Sequence, residues 1–410
     1  MNTDERKRNS TMHIAFVTPE LLKDGKLYPG GLSTYIFTVS LGLMEKGHRV
    51  TVFLSGEKDR DLDFHGISVI ERAPKVSYLL SLAEKLLKKR LPISMDRFIR
   101  SWSINKVVKA HIDRDKIDVL HYTNWKSIGL FRLDRNALIR ISSYEKLWDN
   151  NPGNVHLDKR LARYLEAVSI KRFRHVIGPG DYIASYIEKD LDLSAPIEIL
   201  PTPVRKHDAF IDSDFDVEGK KLVFYAGTVS KIKGSELLFS IIGKYLDEHH
   251  DAVFMVAGKC GTCDGHSCSG DIGILSSRYP GRFIYHPNME RSRLMSAFKQ
   301  ADAVLIPSLY DNFPNTALEA LWQGAVVIAS DTASLGALIR DGHNGFIMKD
   351  RDPMHWINRL REVLFSIDAS TREKMRMRIR ESLSDYEYDT AVSRLEQYYA
   401  NIKNNKIPQD

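Results

Sequence analysis

The segment best equipped for chemistry is IPSLYDNFPNTALEALWQGAVVIASD, residues 306–331. It holds two carboxylates eight positions apart, Asp311 and Glu319, with Asn315, Thr316 and Ala317 between them. The pattern predicts a buried strand, a polar loop and a helix starting near Asn315–Thr316, closed by Gly324 before a further strand. A loop acid and a helix acid then stand at different depths of one site. The backbone amides at the positive end of the helix lie between them. Such a set suits a nucleotide-sugar, with one acid for sugar hydroxyls, amides for a diphosphate and one acid for a ribose diol. An acid at a helix start also serves as a plain cap, and spacing alone does not separate the two.

Other residues have chemistry to offer. Gly30 and Gly31 sit between a β-rich run, MHIAFVTPE (12–20), and a helix-like stretch. Glycines let the backbone approach a ligand, and phosphate is the natural guest of a helix N-terminus; glycine pairs also simply turn a chain. The G-x-G-x-x-G spacing of a dinucleotide fingerprint is missing there. His121 follows a strand in DVLHYTNW, near Asn124, and is a catalytic candidate, although a histidine at a strand end is often structural; the same holds for Glu145 and His175. All three cysteines and a histidine fall in CGTCDGHSC (260–268). Cys260, Cys263, His266 and Cys268 number the four ligands of a zinc site, in a set tighter than structural zinc sites usually show. Zinc, a disulfide and a plain loop all stay open as readings.

The elements that must position these residues repeat one plan twice. Strand, Gly-rich turn, helix and strand over 12–54 make a βαβ unit and so a parallel sheet, continued by Ile67–Ile70, Val119–Tyr122, Ala137–Ser142 and Val176–Gly178. The plan restarts with KKLVFYAGTVSKIKGSELLFSIIGKYL (220–246), then AVFMVAGK, RFIYHP, AVLIPS and AVVIAS. These compact apolar runs read as a second sheet buried on both faces. A Pro- and acid-rich stretch at 200–220 separates the two, and YDTAVSRLEQYYANI (388–402) predicts an amphipathic terminal helix. Two doubly wound domains joined by a hinge imply a cleft at the carboxyl ends of both sheets.

At 410 residues, 43% hydrophobic and 27% charged, the chain is sized for two folded domains. Three cysteines argue against a disulfide-stapled scaffold and for a reducing compartment. No signal-peptide core and no apolar run of membrane-spanning length stands out, so a cytoplasmic protein is expected, soluble or peripheral at the inner face of the cell membrane. Residues 1–200 carry 33 Lys and Arg against 25 Asp and Glu, and the remainder 26 against 28. The basic half includes LLSLAEKLLKKRLP, where a leucine stripe beside Lys85, Lys88, Lys89 and Arg90 predicts a basic amphipathic helix over 78–91. An anionic membrane surface suits it, and so does plain water over a packed helix. No nucleic-acid partner is expected.

Taken together, PS…DNFPNTALEALWQG…VIASD, the GG loop, FYAGTVSKIKG, GHNGFI (342–347) and the terminal helix resemble retaining glycosyltransferase family 4, the glycosyl transferases group 1. That family has the GT-B fold and includes many transferases of polysaccharide biosynthesis. The resemblance implies an N-terminal acceptor-side Rossmann-like domain at 1–204, a C-terminal nucleotide-sugar domain at 205–385, and a helix at 386–410 crossing back to the first domain. It implies that Glu319 holds ribose hydroxyls and Asp311 contacts the transferred sugar. The loop of Phe313, Pro314, Asn315 and Thr316 would place backbone amides against sugar and diphosphate, and Lys233 would neutralise the leaving diphosphate, with Gly30 and Gly31 closing on it. A UDP- or GDP-sugar donor, a lipid-linked or surface glycan acceptor, and no required metal or other cofactor follow.

The sequence departs from the family pattern at several positions. Asp311 stands for a Glu, Thr228 for an Arg at the donor-binding turn, Ser142 and Ser143 where a His is common, and Ala337 for an acid. Lys231 and Arg205 are further cations near the expected site. A non-hydrolysing sugar-nucleotide epimerase and a catalytically silent scaffold subunit are the alternative readings.

Overall fold

The computed structural model describes residues 11–28, 30–75, 90–132, 136–148, 156–193, 195–204, 215, 217–263, 266–311 and 313–404. The chain divides into two units, Met1–Pro203 with Tyr386–Asp410, and Val204–Asp385. The basic stretch 78–91 falls almost wholly outside the described residues, and Arg205 lies outside them too.

The first unit is built on β1 (His13–Thr18), β2 (Leu22–Lys23), β3 (Lys26–Leu27), β4 (Arg49–Leu54), β5 (Arg60–Phe64), β6 (Ile67–Glu71), β7 (Val119–Thr123), β8 (Ala137–Arg140), β9 (His175–Gly178) and β10 (Glu198–Ile199). Eight of them form one sheet in the order β10-β9-β8-β7-β1-β4-β6-β5, and β2 pairs with β3 in a separate hairpin. All neighbours run parallel except β5, which turns back antiparallel on β6. Every residue of β1 is buried. That is the consequence of helices covering both faces, and it explains why HIAFVT shows no polar alternation. Edge strand β5, RDLDF, carries three charges and leaves two of its residues exposed, features that discourage pairing with another chain. Its polarity is also why it does not read as a strand in the sequence. The covering helices are α1 (Gly31–Glu45), α2 (Pro92–Asp115), α3 (Leu157–Lys171) and α4 (Asp181–Leu191).

The second unit has strands β11 (Lys221–Ala226), β12 (Ala252–Ala257), β13 (Thr262–Cys263), β14 (His266–Ser267), β15 (Phe283–His286), β16 (Ala303–Ile306), β17 (Val327–Ser330) and β18 (Phe346–Met348). Six form an all-parallel sheet ordered β15-β12-β11-β16-β17-β18, and β13 pairs with β14 in a small hairpin. Its longer helices are α5 (Ser235–Glu248), α6 (Ser269–Arg278), α7 (Arg291–Gln300), α8 (Asn315–Trp322), α9 (Pro353–Arg361) and α10 (Ala369–Ser382). Leu238, Ile241, Ile242 and Tyr245 recur every three or four residues along α5 and pack with Val223, Phe254, Val256, Leu305 and Ile328 of the sheet.

Helix α11 (Tyr388–Lys403) belongs to the first unit although it ends the chain. Glu387 caps it, accepting from the Thr390 amide at 3.0 Å. Its buried stripe, Tyr388, Val392, Leu395, Tyr399 and Ile402, joins the core that holds Tyr35, Ile36, Val39 and Leu43 of α1. Burying Val392, Leu395 and Ile402 contributes roughly 1.5–3 kcal/mol each as an upper bound.

Candidate functional site

The second unit gathers most of the residues with chemistry to offer. Two turns at the carboxyl ends of neighbouring strands β11 and β16 meet there. After β11 the chain passes Thr228 and a short 3-10 turn, Lys231–Lys233, before Gly234 opens α5. Gly234 has φ +76°, and a Cβ on it would stand 1.8 Å from the Pro307 carbonyl oxygen, so no other residue fits without moving the second turn. The Leu309 amide donates to the Ile232 carbonyl at 2.9 Å. Arg351 donates to the Pro307 carbonyl at 3.1 Å.

This close fit brings Lys233 Nζ to 2.6 Å from Asp311 Oδ2. Asp311 is largely buried, its side chain 14% exposed against 33% for Lys233, and Ser334 Oγ donates to its backbone carbonyl at 2.7 Å. Behind the pair, the buried Tyr225 hydroxyl donates to the Thr228 carbonyl at 3.0 Å. Burial first, and then the Asp311 charge, push that phenol well above its ordinary range. Lys231 Nζ lies 3.6 Å from Glu236 Oε1.

Helix α8 starts immediately beyond this loop. Pro314 at its N-cap offers no side-chain cap, and no acid stands in the first turn, so the positive helix end is not answered by its own residues. Asn315 donates its amide to the Phe313 carbonyl at 2.9 Å. Glu319 lies on the second turn, where Arg291 Nη1, at the start of α7, reaches Glu319 Oε1 at 2.8 Å. Both are partly buried, at 26% and 18% exposure. No motif marks Arg291 in the sequence; it stands in an ordinary charged helix start, PNMERSRL.

Gly30 and Gly31 belong to the first unit, at the N-terminus of α1. A Cβ on Gly30 would come within 2.7 Å of Glu20 Oε1, which also accepts from Ser33 Oγ at 3.0 Å. Burial pushes the Glu20 carboxyl above its ordinary range, against the Ser33 hydrogen bond.

His121 is not brought to any accessible surface. Its ring is fully buried, packed on Phe16 at 4.8 Å, with Nδ1 2.6 Å from the Tyr399 hydroxyl of α11. Burial, then the Arg140 charge, hold the imidazole well below its usual value and therefore neutral. The reason is topological: β7 is an interior strand, and α11, distant in sequence, closes over it. Asn124 is likewise buried. It donates to Glu166 Oε1 at 3.0 Å and accepts from the Ser142 amide at 2.9 Å, fixing the loop after β8. Glu166 lies on the amphipathic helix α3. It is 3% exposed, and burial raises its carboxyl to about 7 against the hydrogen bond from the Glu145 amide.

The cysteine-rich loop is not a set of four thiolate and imidazole ligands. Cys268 is disulfide-bonded and fully buried, Cys260 carries a free thiol, and the side chains of Cys263 and His266 lie outside the described residues. A sulfur held in a disulfide is no thiolate for zinc, and the expectation of reduced thiols does not hold at Cys268. The loop backs onto the turn after β11, with the Gly261 amide donating to the Val229 carbonyl at 2.8 Å. No described helix is long and apolar enough to cross a membrane.

Comparison with known proteins bears on all of this. Residues 208–382 match the family model for glycosyl transferases group 1, and residues 29–207 match that for glycosyltransferase family 4. A D-inositol 3-phosphate glycosyltransferase of Corynebacterium diphtheriae is 24% identical over 95% of this chain and 94% of its own. Among solved structures, sucrose-phosphate synthase from Thermosynechococcus elongatus aligns with a TM-score of 0.70 at 17% identity, over 96% of this chain and 100% of that one. HepE of Anabaena, solved in complex with UDP and glucose, aligns at 0.64 and 14% identity, over 95% and 100%.

Proposed function

Because this chain belongs to glycosyltransferase family 4 and has the GT-B fold, we propose that it moves a sugar from a nucleoside-diphosphate sugar to an acceptor hydroxyl with retention at the anomeric carbon. The single observation that carries the reading is the convergence of Lys233, Asp311, the open end of α8 and Glu319 in one unit. The diphosphate exchanges places with Asp311 on Lys233 and lies against the Thr316 amide and the positive end of α8. Asp311, released, accepts from hydroxyls of the sugar, and Glu319 accepts from the ribose diol. Thr228 takes the place of a second cation, so Lys233 and the helix end bear most of the charge that develops on the departing phosphate.

In the transfer step the acceptor oxygen bonds to the anomeric carbon as the bond from that carbon to the phosphate oxygen breaks. The acceptor proton passes to the leaving phosphate oxygen on the same face. The products are the glycoside and a nucleoside diphosphate. This chemistry asks for no metal ion or other cofactor. A UDP- or GDP-sugar fits the donor role, as the UDP bound by HepE supports, and a lipid-linked or surface glycan fits the acceptor role.

The test is nucleoside diphosphate release from a panel of UDP-, GDP- and ADP-sugars, with and without membrane extract. Acceptor-dependent release that falls about 10²–10³-fold in Lys233→Ala supports the reading. Conversion of a nucleotide-sugar without any acceptor identifies an epimerase, and binding without turnover a silent subunit; either outcome overturns it.

A further inference from the structure

In its described residues, the connection between β12 and α6 lies against the turn that carries Lys233 and touches it on both sides of the lysine. Before Lys233, the Val229 amide donates to the Lys259 carbonyl at 2.9 Å, and the Val229 carbonyl accepts from the Gly261 amide at 2.8 Å. These two bonds make a short parallel bridge between Val229 and Cys260. After Lys233, Cys268 Sγ stands 3.9 Å from Ser235 Oγ, on the first residue of α5. The Cys268 amide donates to the Gly261 carbonyl at 3.2 Å, so both contacts belong to one closed loop. The position of the turn from Val229 to Ser235 thus depends on the position of that loop.

Cys268 is fully buried and disulfide-bonded. The chain has three cysteines and Cys260 keeps a free thiol, which leaves Cys263 as the other half of the bond. The bond therefore closes a ring of six residues within a single connection. Disulfide stabilisation grows with the length of chain enclosed, so this one adds little to the stability of the unit. Nor does the unit need a staple. Cys268 belongs to a continuous apolar core that includes Leu238, Ile272 and Leu275, whereas disulfide-dependent domains are those too small to build one. What the bond constrains is the loop that flanks Lys233. An outside thiol has no path to the buried Cys268 sulfur, so attack falls on the sulfur bonded to it, and Cys268 is the one that leaves.

We infer that the Cys268 disulfide is a thiol–disulfide exchange site for a small thiol of the glutathione class, and that its oxidised form braces the turn around Lys233. The thiolate of a first small thiol bonds to the Cys263 sulfur as the bond to Cys268 breaks. Cys268 keeps the electron pair and takes a proton. A second small thiolate then bonds to the sulfur of the first, and Cys263 leaves and takes a proton in turn. Two small thiols are oxidised to one disulfide while two protein thiols form, and oxidised glutathione runs the sequence in reverse. The effect on nucleotide binding rests on the transferase reading, whereas the exchange and the brace do not.

The experiment equilibrates the full chain in buffers of varied reduced-to-oxidised glutathione ratio and counts thiols by alkylation and mass spectrometry. Amide hydrogen exchange over Val229–Ser235 and thermal protection by UDP, GDP and ADP are read on the same samples. The thiol count is expected to pass reversibly from one to three as the buffer becomes reducing. With it, exchange in the turn rises about tenfold and the best-bound nucleotide loses about fivefold in affinity or more. Cys260→Ser responds as the wild type does, and the Cys263→Ala, Cys268→Ala double variant exchanges at the faster rate at every ratio. The titration itself uses the wild-type chain, so a double variant that fails to fold leaves the test intact. A thiol count fixed across all ratios, or a turn exchange or nucleotide affinity that ignores the count, overturns the inference. Reversible counts and exchange in a chain that no nucleotide protects would leave the brace standing and sink the transferase reading instead.

Discussion

Lys233 and Asp311, 78 residues apart, share a hydrogen-bonded ion pair of 2.6 Å, so the cation proposed for a diphosphate and the acid proposed for a sugar satisfy each other before any ligand arrives. With Lys233 a third exposed to solvent, a single pair of this kind adds on the order of 1 kcal/mol to stability. Its importance is therefore to the site. Asp311→Asn is expected to lower kcat/KM by about 10²-fold or more while shifting the unfolding midpoint little. Because the two side chains act as a unit, the Lys233→Ala, Asp311→Asn double variant should lose far less than the product of the single losses. Steady-state kinetics of the three variants checks this.

The Arg291–Glu319 pair at 2.8 Å makes a separate prediction. In the proposed donor mode Arg291 is a positioning residue, holding the carboxylate assigned to the ribose diol. Arg291→Gln should raise the donor KM about tenfold with kcat nearly unchanged, and Arg291→Lys should recover part of the loss. With a 2′-deoxyribose donor the Arg291→Gln penalty should shrink. An equal penalty on both donors would show that Arg291 acts on something other than the ribose contact.

Glu166 ties stability to pH. Its carboxyl is raised by burial to about 7 in the folded protein, against an ordinary value of 4.5. The folded state thus binds the proton more tightly. The stabilisation is complete below about pH 4.5, falls as pH rises, and is gone above about pH 7. Glu166→Gln should remove a pH dependence worth up to about 3 kcal/mol across that window. Denaturant unfolding of both forms at pH 5 and pH 8 provides the measurement: the difference between them should depend on pH.

His121 should matter to folding and not to turnover. Tyr399→Phe removes the partner of Nδ1 inside the core, at a cost of about 1–3 kcal/mol. The kcat of the folded fraction should stay near the wild-type value. A tenfold drop in kcat with unchanged stability would restore His121 to the reacting groups.

The sequence discloses strands and carboxylates to different degrees. HIAFVT, AVFMVA and AVLI are legible because parallel strands covered on both faces are apolar throughout. RDLDF is not, because an edge strand keeps its charges. Asp311 and Glu319 stand in one recognisable stretch and Lys233 in another, and the fold reproduces the loop and helix of the first and the turn of the second. Arg291 and Glu20 do not show, because each owes its setting to a neighbour remote in sequence. His121 misleads for a related reason. A strand end is exposed or sealed according to what covers it, and here the cover is Tyr399, 278 residues later.

That last arrangement bears on how the protein comes into being. A ribosome making this chain releases the first sheet, then the entire second unit, and only at the end the helix carrying Tyr388, Val392, Leu395 and Tyr399. Until then the apolar groove beside α1 and the ring of His121 stay uncovered. The amino-terminal sheet therefore stays incomplete until the second unit has been made, and a chain cut before Tyr388 would leave it without its final piece.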